Sequence, residues 1–264
     1  DVPCRITLRQ WGAPTLAVEA KEIYVADLFN TKFLFEIPSY QRPYTWDEDD
    51  CTYLFEDIQA AMARGENYYF LGSLVLETRS KKPDGGGIFH VIDGQQRLTT
   101  LAVLFAVMRD LAYARGSTSM AESVHKGIYQ EADDVRDIPA AKRLSVWQSE
   151  QDFFTQYIYQ KRGTDALATY NPTSEAQKRL VTAAGLFREK FKDSSGHTDS
   201  ALLVNMIKFT QKCMFAYVTA DTQPSAFRLF TILNTRGQPL HHADILKSEN
   251  LFVIADEADR STYA

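Results

Sequence analysis

The chain has 264 residues, of which 45% are apolar, and its formal net charge is −5. This apolar content is enough to bury one large core or two smaller ones without a disulfide or metal staple. The three cysteines, Cys4, Cys51 and Cys213, lie far apart, as is typical of a reducing compartment. The longest apolar run, residues 101–108, is much shorter than the roughly 18 residues of a membrane helix. The negative net charge disfavours nonspecific coating of DNA. We therefore expect a cytoplasmic globular protein with no membrane role.

The first third of the chain alternates strand-like and helix-like patterns. Residues 21–30 are amphipathic, residues 33–37 form a short apolar run, and two prolines then enclose an irregular stretch. Thr45 and Glu48 stand at the spacing of a capping box, in which the threonine accepts from helix N–H groups and the glutamate reaches back. With apolar residues at helical spacing and a glycine stop, this pattern predicts a helix over about residues 46–64.

Two β-rich runs and an apolar helix follow. Residues 68–78 and 88–92 are rich in aromatic and β-branched side chains and enclose a glycine-rich turn, which predicts a β-hairpin. From residue 98 to residue 111, apolar side chains cover nearly the whole helical circumference, as expected for a helix surrounded by other elements. The five residues between the second strand and this helix therefore lie at a strand-to-helix junction.

The rest of the chain is mainly helical and ends with a return to mixed patterns. The helical patterns before residue 213 cover residues 120–131, 146–159, 175–191 and 201–212. After it we predict a strand, a helix, a turn and a helix, at residues 214–219, 224–233, 234–237 and 243–255. We expect an α/β (α+β) fold with a core formed by residues 1–111 and 213–264 and a helical insertion or subdomain at residues 112–212.

The junction segment Asp-Gly-Gln-Gln-Arg, residues 93–97, has the composition of a phosphate site. Helix N–H groups and the positive end of the helix macrodipole converge there and attract an anion. Gly94 would let the backbone approach a phosphate closely, and Arg97 could bind it bidentately. The chain has no Walker-type loop, since its triple glycine precedes a strand and not a helix.

Five side chains around Gly94 and Arg97 extend this interpretation. Asp93 could order Mg²⁺ or a ribose, Gln95 or Gln96 could orient a water molecule toward phosphorus, and hydroxyl groups come from Thr99 and Thr100. The alternative is an ordinary helix cap, in which Asp93 caps the helix and both glutamines are solvated. From the residues alone, the two interpretations have equal weight.

A second stretch, residues 37–46, combines two prolines, three aromatic residues and an arginine immediately before a helix. A rigid backbone with aromatic faces and an arginine suits recognition of a base, a sugar or a phosphate. We favour a core position for Tyr44 and Trp46, because large aromatic side chains are usually buried. The candidates for recognition are Tyr40, Gln41 and Arg42.

A third stretch forms a polar turn after the helix predicted at residues 224–233. Asn234 and Arg236 lie in this turn, and Lys247 follows in the next helix, so that these side chains could close over a nucleotide. The simpler alternative, that Asn234 and Gly237 only shape the turn, is nearly as strong.

Together the three stretches resemble the N-terminal domain of GmrSD-type modification-dependent restriction enzymes. That family has an Ile-Pro-x-Tyr-Gln-Arg segment, an Asp-Gly-Gln-Gln-Arg motif followed by Leu-Thr-Thr-Leu, and an Asn-Thr-Arg-Gly turn before Leu-x-x-Ala-Asp. Here these segments are residues 37–46, 93–101 and 234–244. The Leu-Thr-Thr-Leu continuation makes the central motif far more specific than a short glycine pattern.

The resemblance implies a ParB/sulfiredoxin-like core with a helical extension, NTP hydrolysis at residues 93–97 and a role in restricting phage DNA. Related SspE-type proteins respond to phosphorothioate-modified DNA, which makes Tyr40, Gln41 and Arg42 the expected sensing residues. The family usually continues into a C-terminal nuclease domain with a His-Asn-His metal site. No such constellation follows residue 250, so we expect the nuclease in an absent part of a longer protein.

We therefore expect an NTPase and sensor domain that uses GTP or UTP, with Mg²⁺ held at Asp93. Arg42, Arg236 and Lys247 would complete a basic nucleotide pocket together with Asn234. The expected partners are modified DNA and the nuclease domain of the same protein, and a second copy of the chain stays open. The alternative is a non-catalytic reader of modified DNA that docks or regulates the nuclease.

Overall fold

The computed structural model describes residues 4–8, 16–29, 33–82, 86–135 and 138–234. These residues form strands and helices in a mixed arrangement, which confirms the predicted α/β class. The strands are β1 Cys4–Leu8, β2 Leu16–Tyr24, β3 Phe33–Glu36, β4 Phe70–Lys81, β5 Gly87–Asp93, β6 Tyr129–Gln130, β7 Ala141–Lys142, β8 Leu144–Ser145 and β9 Met214–Ala220.

The main sheet has seven strands in the order β1-β2-β9-β4-β5-β3-β8, and β6 pairs with β7 separately. β4 and β5 are antiparallel neighbours, which confirms the predicted hairpin and extends its first strand to Lys81. β9 pairs with β4 in parallel on one side, and β3 pairs with β5 in parallel on the other. β8 extends the sheet beyond β3, also in parallel.

The α-helices are α1 Val25–Leu28, α2 Glu48–Ala63, α3 Gln95–Ala114, α4 Thr118–Ile128, α5 Gln151–Phe153, α6 Glu175–Lys190, α7 Ser200–Thr210 and α8 Gln223–Asn234. Short 3-10 helices cover Gln148–Glu150 and Gly163–Thr169, and a π-helix covers Phe154–Tyr159. The bounds of α2, α3, α4, α6, α7 and α8 lie within about three residues of the sequence predictions, and the helix predicted at residues 243–255 lies outside the described residues. Among the described residues, no helix is both long and apolar enough to cross a membrane.

The capping box predicted from Thr45 and Glu48 is wrong. α2 begins after Asp47, whose carboxylate accepts from the Asp50 N–H at 3.1 Å, while the Asp50 carboxylate accepts from the Asp47 N–H at 3.2 Å. Carboxylates interact more strongly than a hydroxyl with the positive end of a helix. Thr45 lies before the helix, and its N–H donates to the side chain of Gln96 at 2.9 Å.

The single helix predicted over residues 146–159 is also wrong, because this region divides into a 3-10 turn, α5 and the π-helix. The buried guanidinium of Arg109 donates to the carbonyl oxygens of Ile158 at 2.7 Å and Gln160 at 2.8 Å. These bonds hold the C-terminal end of the region against α3. Apolar periodicity does not carry that information.

Two apolar clusters lie on opposite faces of the main sheet. The larger one joins strand residues such as Leu76 and Val91 to α2, α3, α6 and α7. On the other face, Val75 and Ile92 contact Ala226 of α8. α3 is buried along most of its length and lies at the centre of the larger cluster, which confirms the prediction of a surrounded helix.

Elements of the predicted insertion contact the predicted core directly. β8 pairs with β3, and Phe187 of α6 stacks on Phe55 of α2 with ring centroids 6.1 Å apart. Both side chains belong to the larger apolar cluster. The proposed boundaries near residues 111 and 213 stay a prediction, and the two parts share one core.

Candidate functional site

The candidate site begins where β5 ends and α3 starts, as the sequence predicted. Asp93 is the last residue of β5, and Gly94 is the N-cap residue of α3 with a φ angle of 94°. A Cβ atom at Gly94 would lie 2.3 Å from Leu74 Cδ2, so both backbone angle and packing require glycine. Because the cap residue has no side chain, it leaves the first-turn N–H groups without the usual capping acceptor. The alternative in which Asp93 caps the helix is wrong.

Arg97 lies in the first turn of α3 and is held against β4. Its Nη1 donates to the Leu71 carbonyl oxygen at 2.8 Å, and its Nη2 lies 3.8 Å from Asp93 Oδ2. Gly72 makes this position possible, since a Cβ atom there would come within 2.1 Å of Nη1. The Arg97 and Asp93 side chains remain 25% and 28% exposed. The guanidinium is therefore oriented by the fold and still accessible to a ligand.

Partial burial changes the proton affinity of both members of this pair. Burial raises the pKa of the Asp93 carboxyl, while Arg97, the Gly94 N–H and Arg42 act in the opposite direction. Burial lowers the pKa of Arg97, and the charge of Asp93 partly offsets that effect. Neither charge is fully compensated by the other at 3.8 Å. An incoming anion would gain a stronger interaction with Arg97 here than on an open surface.

The second stretch, residues 37–46, lies against the Asp-Gly-Gln-Gln-Arg motif at residues 93–97. Gln41 donates its side-chain N–H to the Ile92 carbonyl oxygen at 3.0 Å, one residue before Asp93. Tyr40 is half-buried and contacts Phe227 of α8, with ring centroids 5.8 Å apart. Arg42 is exposed and close enough to influence the charge of Asp93. The fold thus brings residues 40–42 beside residues 93–97.

Gln96 connects the two motifs. Its Oε1 accepts from the Thr45 N–H at 2.9 Å and the Trp46 N–H at 3.4 Å, and its Nε2 donates to the Pro43 carbonyl oxygen at 3.1 Å. The side-chain amide is therefore occupied on both sides. Gln96 thus holds the backbone of residues 43–46 and is not solvated.

Gln95, Thr99 and Thr100 are also buried, so the solvated-glutamine alternative is wrong for both glutamines. Thr100 Oγ1 donates to the Gln96 carbonyl oxygen and lies 2.8 Å from the hydroxyl of Tyr44, which is fully buried as predicted. In contrast, the side-chain oxygens of Gln95 and Thr99 are buried without a hydrogen-bond partner in the structure. Nucleotide contacts by the two threonines stay a prediction.

The structure describes only the first residue of the third motif, residues 234–244. Asn234 is the last residue of α8, a helix whose earlier residues pack against β4 and β5. Arg236 and Lys247 lie outside the residues that the structure describes. Their expected places in the basic pocket therefore stay predictions.

Three residues that shape the site lie outside the three sequence motifs. Gly72 interrupts an apolar strand, and an isolated glycine in a strand is a signal for close approach by another group. Trp147 donates its indole N–H to the Gln41 carbonyl oxygen at 3.0 Å, and Arg179 Nη1 donates to the Thr45 carbonyl oxygen at 3.0 Å. These two contacts join residues more than 100 positions apart in sequence, and no local pattern predicts them.

The model of a protein family described as the N-terminal domain of the GmrSD restriction endonuclease matches residues 25–251. The chain belongs to this family. The match covers well over half of the sequence and includes all three motifs, so the resemblance inferred from them is confirmed. No curated protein matches the chain.

As a GmrSD N-terminal domain, the protein is a module of a restriction enzyme. Within the described residues, no group of three or more His, Cys, Asp and Glu side chains is arranged to hold a metal ion. The Mg²⁺ ion expected at Asp93 stays a prediction; a single partly exposed carboxylate is compatible with an ion that completes its shell with phosphates and water.

Proposed function

We propose that this domain binds and hydrolyses an NTP at residues 93–97 and couples hydrolysis to recognition of modified DNA in the cytoplasm. The observation that carries the proposal is the position of Arg97, oriented by Leu71 and Gly72 beside the N-terminus of α3. A guanidinium, helix N–H groups and a nearby Arg42 supply positive charge for a phosphate chain. GTP and UTP are the substrates we favour.

Arg97 and Gln95 have distinct roles in this proposal. Arg97 contacts the terminal phosphates and stabilises the charge that develops on them during transfer. Water attacks the γ-phosphorus, the bond to the β-phosphate oxygen breaks, and the products are a nucleoside diphosphate and inorganic phosphate. Gln95 is the better candidate for orienting this water, because its Oε1 has no hydrogen-bond partner while the Gln96 amide is fully occupied.

Asp93 would hold Mg²⁺ together with the phosphates of the substrate. When bound, the ion supplies charge neutralisation for the phosphate oxygens. The Asp93 carboxylate is partly exposed and its charge is not fully compensated by Arg97 at 3.8 Å, which fits a ligand role. Asn234, Arg236 and Lys247 remain the proposed additional nucleotide contacts from the third motif.

Tyr40, Gln41 and Arg42 would sense the DNA modification, with a phosphorothioate linkage as the favoured signal. Arg42 is exposed and can contact the DNA backbone, while the ring of Tyr40 offers an apolar surface to a sulfur atom. Gln41 holds the segment against Ile92. A C-terminal nuclease domain would receive the signal, and a second copy of the chain is a further proposed partner.

Phosphate release from each of the four NTPs, with and without phosphorothioate DNA, tests the proposal. Arg97→Ala should abolish hydrolysis and leave the circular dichroism spectrum unchanged. Arg64→Ala is the matched control, since this exposed arginine contacts Glu66 on the far end of α2. Unaltered turnover in Arg97→Ala would exclude the proposed site.

The second candidate function is a DNA-modification reader without catalysis in this domain. The occupied amide of Gln96 favours it, because this side chain holds residues 43–45 and is not free to orient a water molecule. Selective binding of modified duplex that is lost in Arg42→Ala, in a protein that releases no phosphate from any NTP, would support this function over the first.

A further inference from the structure

The backbone of residues 41–46 is held from two sides. On one side, Gln96 of the motif at residues 93–97 bonds to the backbone at residues 43, 45 and 46. The mainly helical region 112–212 holds it through Trp147 and Arg179. Residues 41–46 thus lie between the candidate nucleotide site and a part of the chain to which the three motifs assign no role.

The two contacts from the helical region are well defined. Trp147 is 5% exposed, and its indole N–H points at the Gln41 carbonyl oxygen from the chain segment that follows β8. Arg179 projects from the first half of α6, where Glu175 lies 3.5 Å from its Nε. Its Nη1 donates to the Thr45 carbonyl oxygen, immediately before α2. Both donors bind main-chain oxygens, so they control where the segment lies without contacting Asp93 or Arg97.

We propose that Trp147 and Arg179 are positioning residues, which hold residues 41–46 so that DNA recognition by Tyr40 and Arg42 alters the nucleotide site. This inference rests on the proposed function and adds its regulation. A displacement of the segment would move Arg42, which follows Gln41 on the same backbone, relative to the nucleotide site. The same displacement would pull on Gln96 and, through it, on the first turn of α3.

The structure distinguishes this role from general support of the core. Trp147→Phe keeps an aromatic ring in place and removes the N–H donor with part of the indole volume, which leaves the Gln41 carbonyl oxygen without this partner. Arg179→Met keeps most of the aliphatic length and removes the donor to Thr45. Tyr170→Phe is the matched control, because it removes a hydrogen bond to Gln177 within the same helical region without reaching residues 41–46.

The first measurement is amide hydrogen exchange in the full chain. Protection of the Thr45 and Trp46 amides should fall about tenfold in Trp147→Phe and Arg179→Met, the loss expected for one hydrogen bond. Tyr170→Phe should leave these amides unchanged. Unchanged protection in both test variants would overturn the proposal, whether or not the protein hydrolyses NTPs.

The second measurement is NTP hydrolysis with a short duplex that carries one phosphorothioate linkage in each strand, beside the unmodified duplex. Both variants should keep the basal rate and the KM for the nucleotide, while stimulation by the modified duplex falls about fivefold. Full stimulation in both variants would overturn the regulatory role. If the wild-type protein releases no phosphate under any condition, the proposed function fails instead, and hydrogen exchange alone decides the positioning role.

Discussion

The guanidinium of Arg97 lies against Gly72, so closely that a Cβ atom at position 72 would come within 2.1 Å of Nη1. This contact explains why a glycine with a φ angle of 101° interrupts β4. It also explains how a side chain in α3 acquires a fixed direction before any ligand is bound. The site therefore depends on a residue that belongs to none of the three sequence motifs.

Gly72→Ala should abolish NTP hydrolysis while the domain stays folded, because Arg97 must move away from Leu71 to make room for the methyl group. Gly116→Ala is the matched control, since Gly116 also has a positive φ angle but would place its Cβ atom in open space. Both substitutions should lower stability by about 1 kcal/mol through backbone strain. Thermal melts and phosphate release separate the two effects. Wild-type turnover in Gly72→Ala would contradict the role of Arg97 orientation.

Gln95 and Gln96 should respond differently to substitution by alanine. Gln96→Ala removes three hydrogen bonds to residues 43–46 and should cost about 1 to 3 kcal/mol of unfolding free energy. Gln95→Ala should leave stability nearly unchanged, because its side-chain oxygen has no partner to lose, and should reduce kcat by about a hundredfold. Urea unfolding and steady-state kinetics test both parts. A large stability loss in Gln95→Ala with normal kcat would reverse the assignment.

The buried Arg109–Asp110 pair should be essential for folding of the region around residue 160. Arg109 Nε lies 2.6 Å from Asp110 Oδ1, both side chains are fully buried, and Asp110 also accepts from Thr164. Asp110→Ala should cost about 3 to 5 kcal/mol, since it leaves a buried guanidinium without its counter-charge. Glu189→Ala, which breaks the exposed pair with Lys192, should have little effect on urea unfolding. Comparable losses in the two variants would contradict this explanation.

His90, on β5, should make the unfolding free energy of the domain depend on pH. Its two ring nitrogens lie 3.3 Å from carboxylate oxygens of Glu36 and Glu77. Burial lowers the pKa of His90, and hydrogen bonds to the two glutamates raise it by more, so that the net pKa lies above 6.5 despite the nearby Arg79. The hydrogen bond to His90 lowers the pKa of Glu36 below 4.5.

The pKa shifts of His90 and Glu36 set the direction in which stability changes with pH. The stabilisation from His90 is complete below pH 6.5 and is lost as the pH rises through the raised folded-state pKa. The contribution of Glu36 is present above pH 4.5 and is lost as the pH falls through its lowered value. His90→Gln should therefore destabilise the domain most at about pH 5.5 and much less at about pH 8.5. Urea unfolding at both values tests this, with the exposed His197→Gln as control, and an equal loss at both would contradict it.

Much of the fold was predictable because local patterns report local structure. The hairpin β4–β5, the surrounded helix α3 and the helices α6 and α7 follow from side-chain period, caps and turn residues. The prediction failed at residues 146–159, whose C-terminal end bonds to Arg109 of another helix, a contact that no local pattern shows. The cap of α2 was misplaced by two residues because two possible capping boxes overlap, and the acidic one forms.

The sequence by itself determined the family, the strand-to-helix junction at Gly94 and the identity of the motif side chains, because each depends on neighbouring residues. Only the tertiary structure decided which side chains are accessible: it buries Gln96 against residues 43–46 and turns Arg97 toward Gly72. It also decided that Trp147 and Arg179 hold the second motif. These contacts join distant parts of the chain, and their geometry depends on how the helices pack on the sheet, which no local pattern encodes.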